Sequence, residues 1–435
     1  MSLTTLPAIR ARHAGPLAGA AAAGGVAGIV LAVEPAPGTM VLAGALGVWA
    51  VLGLALASRE AAIALGFLLL GVVRVEPAPT DAVLAVLAGL AVATGQVDLR
   101  RVPRAVVALL GALIVLNVLS LSGAEDLPPA LRFMAITLYL VVLAVWLASH
   151  LRTRPRMRVV IRAYVAGAVA TSALAVAALF VAYPGHELLG SDRAQGFFKD
   201  PNVFAPFLVP AALIAFEETL RPRLLGLRRP GAAALFAVLV LGIVFAYSRA
   251  AWLNLAVALA AMLLVMSLRA GAARTAVTAL AMVAVVAAFA VAAVAVTGSG
   301  DFLQERARLQ AYDSERFSAQ ANGVEIGLSH VFGIGPGEFD RVQAVSAHSL
   351  YVRVLAEQGV LGLATLVALL AGTLLLAVRS ALEGRDAHGV GSAVLVGAWC
   401  GLLANSAFVD TLHWRHLWLV AALIWVAAVR VSPHA

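Results

Sequence analysis

Val360 to Val378 reads VLGLATLVALLAGTLLLAV, nineteen residues without a charged side chain. A helix of that length, rising about 1.5 Å per residue, crosses most of the roughly 30 Å hydrocarbon core of a bilayer, and a helix satisfies its own backbone there. Working outward, similar runs occupy 14–33, 38–57, 60–75, 80–95, 103–122, 130–150, 158–183, 202–217, 232–249, 251–268, 275–297, 390–409 and 416–431. The runs 60–75 and 80–95 are short, so the expectation is an all-α polytopic integral membrane protein of about 12 (12–14) transmembrane helices.

Composition agrees. Hydrophobic residues make up 62% of the chain and charged residues only 12%, about half of the roughly 25% usual in soluble domains. A membrane β-barrel is excluded by the 7% aromatic content and by the lack of ten-residue segments alternating apolar and polar. Cys400 stands alone in an apolar run, which excludes a disulfide framework or thiol metal site. Arg10 and Arg12 ahead of Ala14 to Val33 resemble a signal peptide, but further spans follow at once, and the stretch reads as a retained first helix.

The net charge of +8 comes almost wholly from arginine in short clusters between apolar runs. That pattern reads as topology and not as a nucleic-acid face. With a cytoplasmic N-terminus, the inner connections hold Arg100, Arg101 and Arg104, then Arg152, Arg154, Arg156 and Arg158, then Arg221, Arg223, Arg228 and Arg229, then Arg269 and Arg274, then Arg379 and Arg385. The opposite short connections, Glu34 to Thr39 and Ser122 to Pro129, are acidic or proline-rich. Both termini are therefore expected in the cytoplasm.

Three outward segments carry basic residues against this rule: Pro184 to Pro201, Tyr247-Ser248-Arg249, and Gly298 to Ser349. A long outer loop tolerates charge, but three such segments on one face suggest a shared site. The first delivers Arg193 and Lys199, the sole lysine, to the start of an apolar helix, a setting that suits phosphate. Asn202 is there either a helix cap or a ligand contact. Arg249 either snorkels at an outer boundary or forks onto a phosphate at headgroup depth.

The large loop carries Arg306, Arg308, Asp313, Glu315 and Arg316, an amphipathic stretch from Phe317 to His330, and Gly333-Ile-Gly-Pro-Gly-Glu-Phe339. The three glycines lack a following Lys-Ser/Thr, so they read as a turn returning the chain to the membrane and not as a phosphate cradle. His348-Ser349 follows, then a helical stretch to Gln358 with Arg353 and Glu357 at i, i+4, and Gly359 as a break. An imidazole suits removal of a proton from an attacking hydroxyl. Neither Asp-x-Asp nor clustered histidines occur in the outer loops, so no cofactor or metal is expected. A Gly-x-Ser-x-Gly elbow is also missing.

These residues resemble the bacterial O-antigen ligases and the related O-antigen polymerases. His348-Ser349, nine residues, and Gly359-Val-Leu-Gly362 are similar to the ligase signature of His, then Asn, Ser or Gln, nine residues, and Gly-x-x-Gly. Ser248-Arg249 resembles the Ser-Arg-Gly opening the family domain, with Ala250 in place of Gly, and Arg316-Phe317 with Gly333 to Phe339 resembles the approach to the histidine. The likeness covers about 190–365.

The resemblance implies a GT-C-like glycosyltransferase architecture in the bacterial inner (cytoplasmic) membrane, with a large periplasmic loop and its active site on the periplasmic face. The donor would be undecaprenyl-diphosphate-linked O-antigen and the acceptor a sugar hydroxyl of lipid A core, with membrane lipids around both and no nucleotide, metal or nucleic acid. His348 would be general base, and Arg193, Arg249 and Arg316 would stabilise the leaving diphosphate. Lys199, Asn202, Ser349 and Tyr351 are candidate substrate contacts. Residues 1–183 would be N-terminal spans, 184–297 spans with short periplasmic loops bearing Arg193 and Arg249, 298–359 the periplasmic catalytic loop, and 360–435 C-terminal spans. A polymerase with the same donor is the near alternative. A lipid-linked glycan flippase or transporter is the distant one, since spans almost free of charge, with Arg162 and Asp410 near their ends, disfavour transport.

Overall fold

The computed structural model describes residues 47, 49–74, 78–182, 186–190, 192–268 and 311–429, with isolated positions between 277 and 300. The expected spans 14–33, half of 38–57 and most of 275–297 lie outside the described residues, as do Arg10, Arg12, Arg269, Arg274, Arg306 and Arg308. The described chain is helical throughout, and its β-pairing is limited to isolated bridges at Val72 with Phe197 and Ala387 with Val390.

The α-helices whose bounds lie among the described residues are α1 Arg59–Leu68, α2 Pro79–Ala93, α3 Arg104–Ser120, α4 Leu127–His150, α5 Arg154–Ala178, α6 Pro201–Leu220, α7 Arg229–Phe245, α8 Arg249–Ser267, α9 Ala311–Ser329, α10 Phe339–Val342, α11 Leu350–Leu382, α12 Ser392–Asn405 and α13 Arg415–Ala428. Six described helices, α3 (extended by a 3-10 turn to Gly123), α4, α5, α6, α8 and α11, are long and apolar enough to cross a membrane. The apolar α2, α7, α12 and α13 are shorter. Among the boundaries that differ from the sequence reading, two bear on the site. The run 232–249 stops at Phe245, because a turn at 246–248 interrupts it, and the run 360–378 is the lower part of α11, which begins at Leu350.

Helix α6 forms the centre of the bundle. Nearly all of its residues are buried, as expected of a helix apolar on every face. It packs on α7, α8 and α12, while α8 lies along α12, α11 along α3 and α9, and α4 along α13. On α3 and α11 large apolar side chains such as Val115, Leu119, Val367 and Leu375 are exposed, a surface suited to lipid.

The two ends of the bundle are chemically different. At one end, arginines tie the loops together: Arg162 donates to the Leu224 carbonyl at 2.7 Å, Arg154 to that of Arg223 at 2.9 Å, and Arg223 pairs with Asp386 at 3.0 Å. At the other end, Ala194 N–H donates to the Phe245 carbonyl at 2.9 Å and Leu350 N–H to that of Ser406 at 2.9 Å, gathering the loops before α6, α8, α11 and α13.

Helix α11 is bent where it leaves this second end. Gly359 adopts φ 69°, ψ −173°, which a side chain would strain, and a Cβ there would lie 2.1 Å from the Val331 carbonyl oxygen. The bend releases the Ala356 and Glu357 carbonyls, which accept from Ile334 and Gly335 N–H at 3.0 and 3.1 Å. The glycine-rich segment is thus committed to supporting the bend, in keeping with a turn and not a phosphate cradle.

Candidate functional site

At the second end a cavity of about 260 Å³ is lined by Arg193, Asn202, Arg249, Arg316 and His348, together with Asp200, Tyr247, Asp313, Gln320, Phe408 and Val409. Residues 155 positions apart in sequence, Arg193 and His348, therefore share one wall system.

Arg249, Asn202 and His348 are delivered at or beside helix starts, Arg193 by the loop before α6, and Arg316 from within α9. Ser248 caps α8, its hydroxyl accepting from Ala251 N–H at 3.4 Å, and Arg249 is the first helical residue. Its Nη2 donates to both Asp313 carboxylate oxygens at 2.7 and 2.8 Å, which holds the guanidinium plane. Asp313, Arg316 and Gln320 recur at i, i+3 and i+7 on α9 and so share a face. Gln320 Nε2 donates to the Ala347 carbonyl at 3.1 Å and the His348 carbonyl at 3.5 Å, fastening α9 to the histidine backbone.

Arg193 is oriented by the turn before α8. Its Nε donates to the Ala246 carbonyl at 2.8 Å, and its Nη2 to the Tyr247 carbonyl at 3.3 Å and Asn202 Oδ1 at 3.4 Å. The cap of α6 is Asp200, whose carboxylate accepts from Asn202 N–H at 2.8 Å. Of the two roles left open for Asn202, the cap thus falls to Asp200, and the Asn202 side chain faces the cavity.

His348 sits at φ 44°, a left-handed conformation uncommon outside glycine. Ser349 follows as the cap of α11, accepting from Val352 N–H at 3.4 Å. Burial and the Arg316 guanidinium lower the imidazole pKa, and Arg353 adds to this, while Asp200 and Asp340 oppose it. The net direction keeps the ring neutral at pH 7 and able to take a proton.

Behind the cavity Arg353 joins three segments. Its Nη2 donates to Asp340 at 2.8 and 2.6 Å and to Ser346 Oγ at 3.0 Å, Nη1 to Glu357 at 3.2 Å, and Nε lies 2.8 Å from Asp410. The i, i+4 partner is legible in the sequence. Asp340 and Asp410 are brought in by the α10 loop and the segment before α13.

Three sequence candidates stand elsewhere. Ser349 is buried as a cap, and the Tyr351 hydroxyl donates to the Leu403 carbonyl at 3.1 Å. Neither lines the cavity, because one helical turn carries their side chains away from it. Lys199 lines a separate cavity. Of the residues that sequence reading missed, Tyr247 and Asp313 hold arginines, Gln320 holds the His348 backbone, and Asp200 caps α6 beside them. Helical spacing with Arg316 could have signalled Asp313 and Gln320.

Residues 234–367 match the O-antigen ligase family model. The O-antigen ligase match bears out the resemblance drawn from the motifs and supports membership of the ligase and polymerase superfamily. Arg249, Asp313, Arg316, Gln320 and His348 lie inside the matched segment, while Arg193, Asp200, Asn202, Phe408 and Val409 complete the cavity from outside it. No curated protein matches the chain.

Proposed function

We propose that the protein is an O-antigen ligase, transferring glycan from undecaprenyl diphosphate to a sugar hydroxyl of lipid A core. The observation that carries this reading is the convergence of Arg193, Arg249 and Arg316 on one cavity with a neutral-leaning histidine. The family match and the multi-pass character support it.

In this reading the chain resides in the bacterial inner membrane with about 12 spans in a GT-C-like arrangement. The arginine-rich end and both termini face the cytoplasm, following the positive-inside rule, and the cavity opens to the periplasm. The loop 298–359 carries the histidine, and the spans of 1–183, 184–297 and 360–435 frame it.

The reaction is written as a direct displacement. His348 takes the proton of the acceptor hydroxyl, and the oxygen forms a bond to the anomeric carbon. The bond from that carbon to the diphosphate oxygen breaks, and its electron pair leaves with undecaprenyl diphosphate, inverting the anomeric configuration. Arg193, Arg249 and Arg316 counter the charge growing on the leaving oxygen. Asn202 is a polar contact at the same wall. No cofactor or metal takes part in this scheme.

The test is transfer by purified protein from undecaprenyl-diphosphate-linked glycan to purified lipid A core, without nucleotide, with products read by mass. Conjugate formed by the native chain and lost in His348→Ala supports the ligase. A lengthened carrier-linked glycan assigns a polymerase, and movement of the donor across liposomes without a new bond assigns a flippase.

A further inference from the structure

At the arginine-rich end of the bundle, opposite the cavity, α1 and α5 start side by side. Helix α1 lies along α5, and a Cβ at Gly167 of α5 would lie 2.2 Å from the Leu68 carbonyl oxygen at the far end of α1, so the two helices climb together. Their first turns bring Arg59 and Arg156 close enough to repel each other, and both act on the His150 ring at the end of α4. Arg156 Nη1 donates to the His150 carbonyl at 3.4 Å, an acceptor with no charge to offset the guanidinium. Arg59 Nη2 is buried and has no acceptor among the described residues. The Thr153 side chain, at the cap position of α5, makes no cap hydrogen bond, which leaves the positive end of that helix open as well.

The described carboxylates at this end are engaged elsewhere. Asp98 pairs with Arg101 at 3.2 Å, Asp386 with Arg223 at 3.0 Å, and Glu383 with Arg379 and Arg385 at 2.7 and 2.9 Å. Glu217 accepts from Gly391 N–H at 2.9 Å and Glu218 from Arg223 and Leu224 N–H at 3.0 and 2.6 Å. Glu60 is exposed, and no ion pair joins it to Arg59. Two cations held together without a protein counter-ion call for an anion from outside the chain. An apolar surface adjoins them: Trp49 and Leu56, seven residues apart on the helical stretch that leads into Ser58, are 73% and 81% exposed. They share a face and extend about 10 Å along it, the profile that a phosphate with an acyl chain would fit.

We propose that this end binds an anionic phospholipid, its phosphate held between Arg59 and Arg156 and an acyl chain lying along Trp49 and Leu56. Paired guanidinium groups suit a phosphate better than a zwitterionic headgroup, whose own cation would be repelled.

The test releases the full chain from nanodiscs of mixed phosphatidylcholine and phosphatidylglycerol, and native mass spectrometry reads which lipid stays bound. The native chain should retain phosphatidylglycerol, and Arg59→Gln/Arg156→Gln should lower that retention by about 10- to 100-fold. Arg59→Lys/Arg156→Lys keeps both charges and should keep the preference, which separates loss of the site from loss of the fold. Arg100→Gln/Arg104→Gln removes the same charge from exposed arginines of the same end and should leave retention unchanged. An equal fall in that control pair would reduce the effect to diffuse attraction and overturn the proposal, as would retention untouched by Arg59→Gln/Arg156→Gln. Inorganic phosphate should not displace the lipid; complete displacement would assign the arginines to a free anion and remove the acyl contact. Retention is read without turnover, so the result stands apart from the reaction at the other end.

Discussion

The turns Tyr247-Ser248-Arg249 and His348-Ser349-Leu350 solve the same local problem. In each, a non-glycine residue takes a left-handed backbone, with φ 47° at Tyr247 and 44° at His348, and the next residue is a serine capping a helix that starts at the cavity end. A left-handed L-residue costs about 1–2 kcal/mol, so tertiary contacts must hold both turns. The difference lies in which position carries the chemistry. The first turn places a permanent cation on the helix start and locks it with Asp313. The second places a titratable imidazole on the strained residue itself and anchors it through its backbone to Gln320. Fixed charge is thus built on relaxed helical backbone, and the titratable group, the base in the proposed reaction, on strained backbone. Both turns carry the strain on the residue before the cap, and in the second turn that residue is also the imidazole.

The largest effect should come from His348→Ala. General-base catalysis contributes about 10²- to 10⁴-fold, so conjugate formation should fall by that factor while donor binding persists; near-native turnover would break the assignment of the base. His348→Gly sharpens it further. Glycine accepts the left-handed backbone at no steric cost, so this variant should equal or exceed the native chain in thermal stability while remaining as inactive as His348→Ala.

Arg249→Ala should follow, with about 10²- to 10³-fold lower turnover and weaker donor binding, because in the proposed reaction a diphosphate is present before and after transfer. Arg249→Lys should rescue only in part, since a point charge cannot occupy both Asp313 oxygens and a phosphate as a planar fork does. Full rescue by lysine would mean that position, and not fork geometry, is what the α8 turn supplies.

The serine caps give a smaller and more discriminating comparison. Ser248→Ala and Ser349→Ala should each cost about 0.5–2 kcal/mol of stability, read as a shift of the unfolding midpoint in detergent. Their effects on turnover should differ. Arg249 keeps its Asp313 hold when Ser248 is cut back, whereas His348 immediately precedes its cap and loses one of the groups defining its position. Ser349→Ala should therefore lose the greater share of activity, and equal losses would erase the distinction between the two turns.

Much of the bundle was legible in sequence, because apolar runs of membrane length and clustered arginines are physical requirements of a bilayer. The spans at 103–122, 130–150, 158–183, 202–217, 251–268 and 360–378 all fall on helices of spanning length. Where runs abut, as at 245–249, hydropathy alone cannot see a turn whose residues are themselves largely apolar. His348, Arg193, Arg249, Arg316 and Asn202 were legible because charge and strong polarity are rare in this chain, and the cavity gathers them. Ser349 and Tyr351 do not line the cavity: adjacency in sequence to His348 says nothing about direction once a helix begins, and the first serves as the cap while the second reaches the Leu403 carbonyl. Lys199 neighbours Asp200 in sequence, yet the loop they share is the partition between two cavities.

The smallest effect tests how the two turns communicate across α9. Burial first, and then the Arg316 guanidinium, lower the His348 pKa below its ordinary value near 6.5. A base works when unprotonated, so turnover in the native chain should hold steady as pH falls toward 6.5 and decline only below it. In Arg316→Gln the positive charge is gone and a shorter, neutral hydrogen-bonding amide takes its place. Asp200 and Asp340 then raise the imidazole pKa against less opposition, more of the ring is protonated at a given acid pH, and the acidic limb of kcat/KM against pH should move to higher pH. The plateau at alkaline pH should fall as well, because Arg316 also faces the diphosphate in the proposed site. A limb that stays in place while the plateau drops would mean that Arg316 serves the leaving group alone. A limb that moves while the plateau holds would make it a residue that tunes the base, and would place the control of His348 on α9, which carries both Arg316 and the Asp313 that locks the other turn.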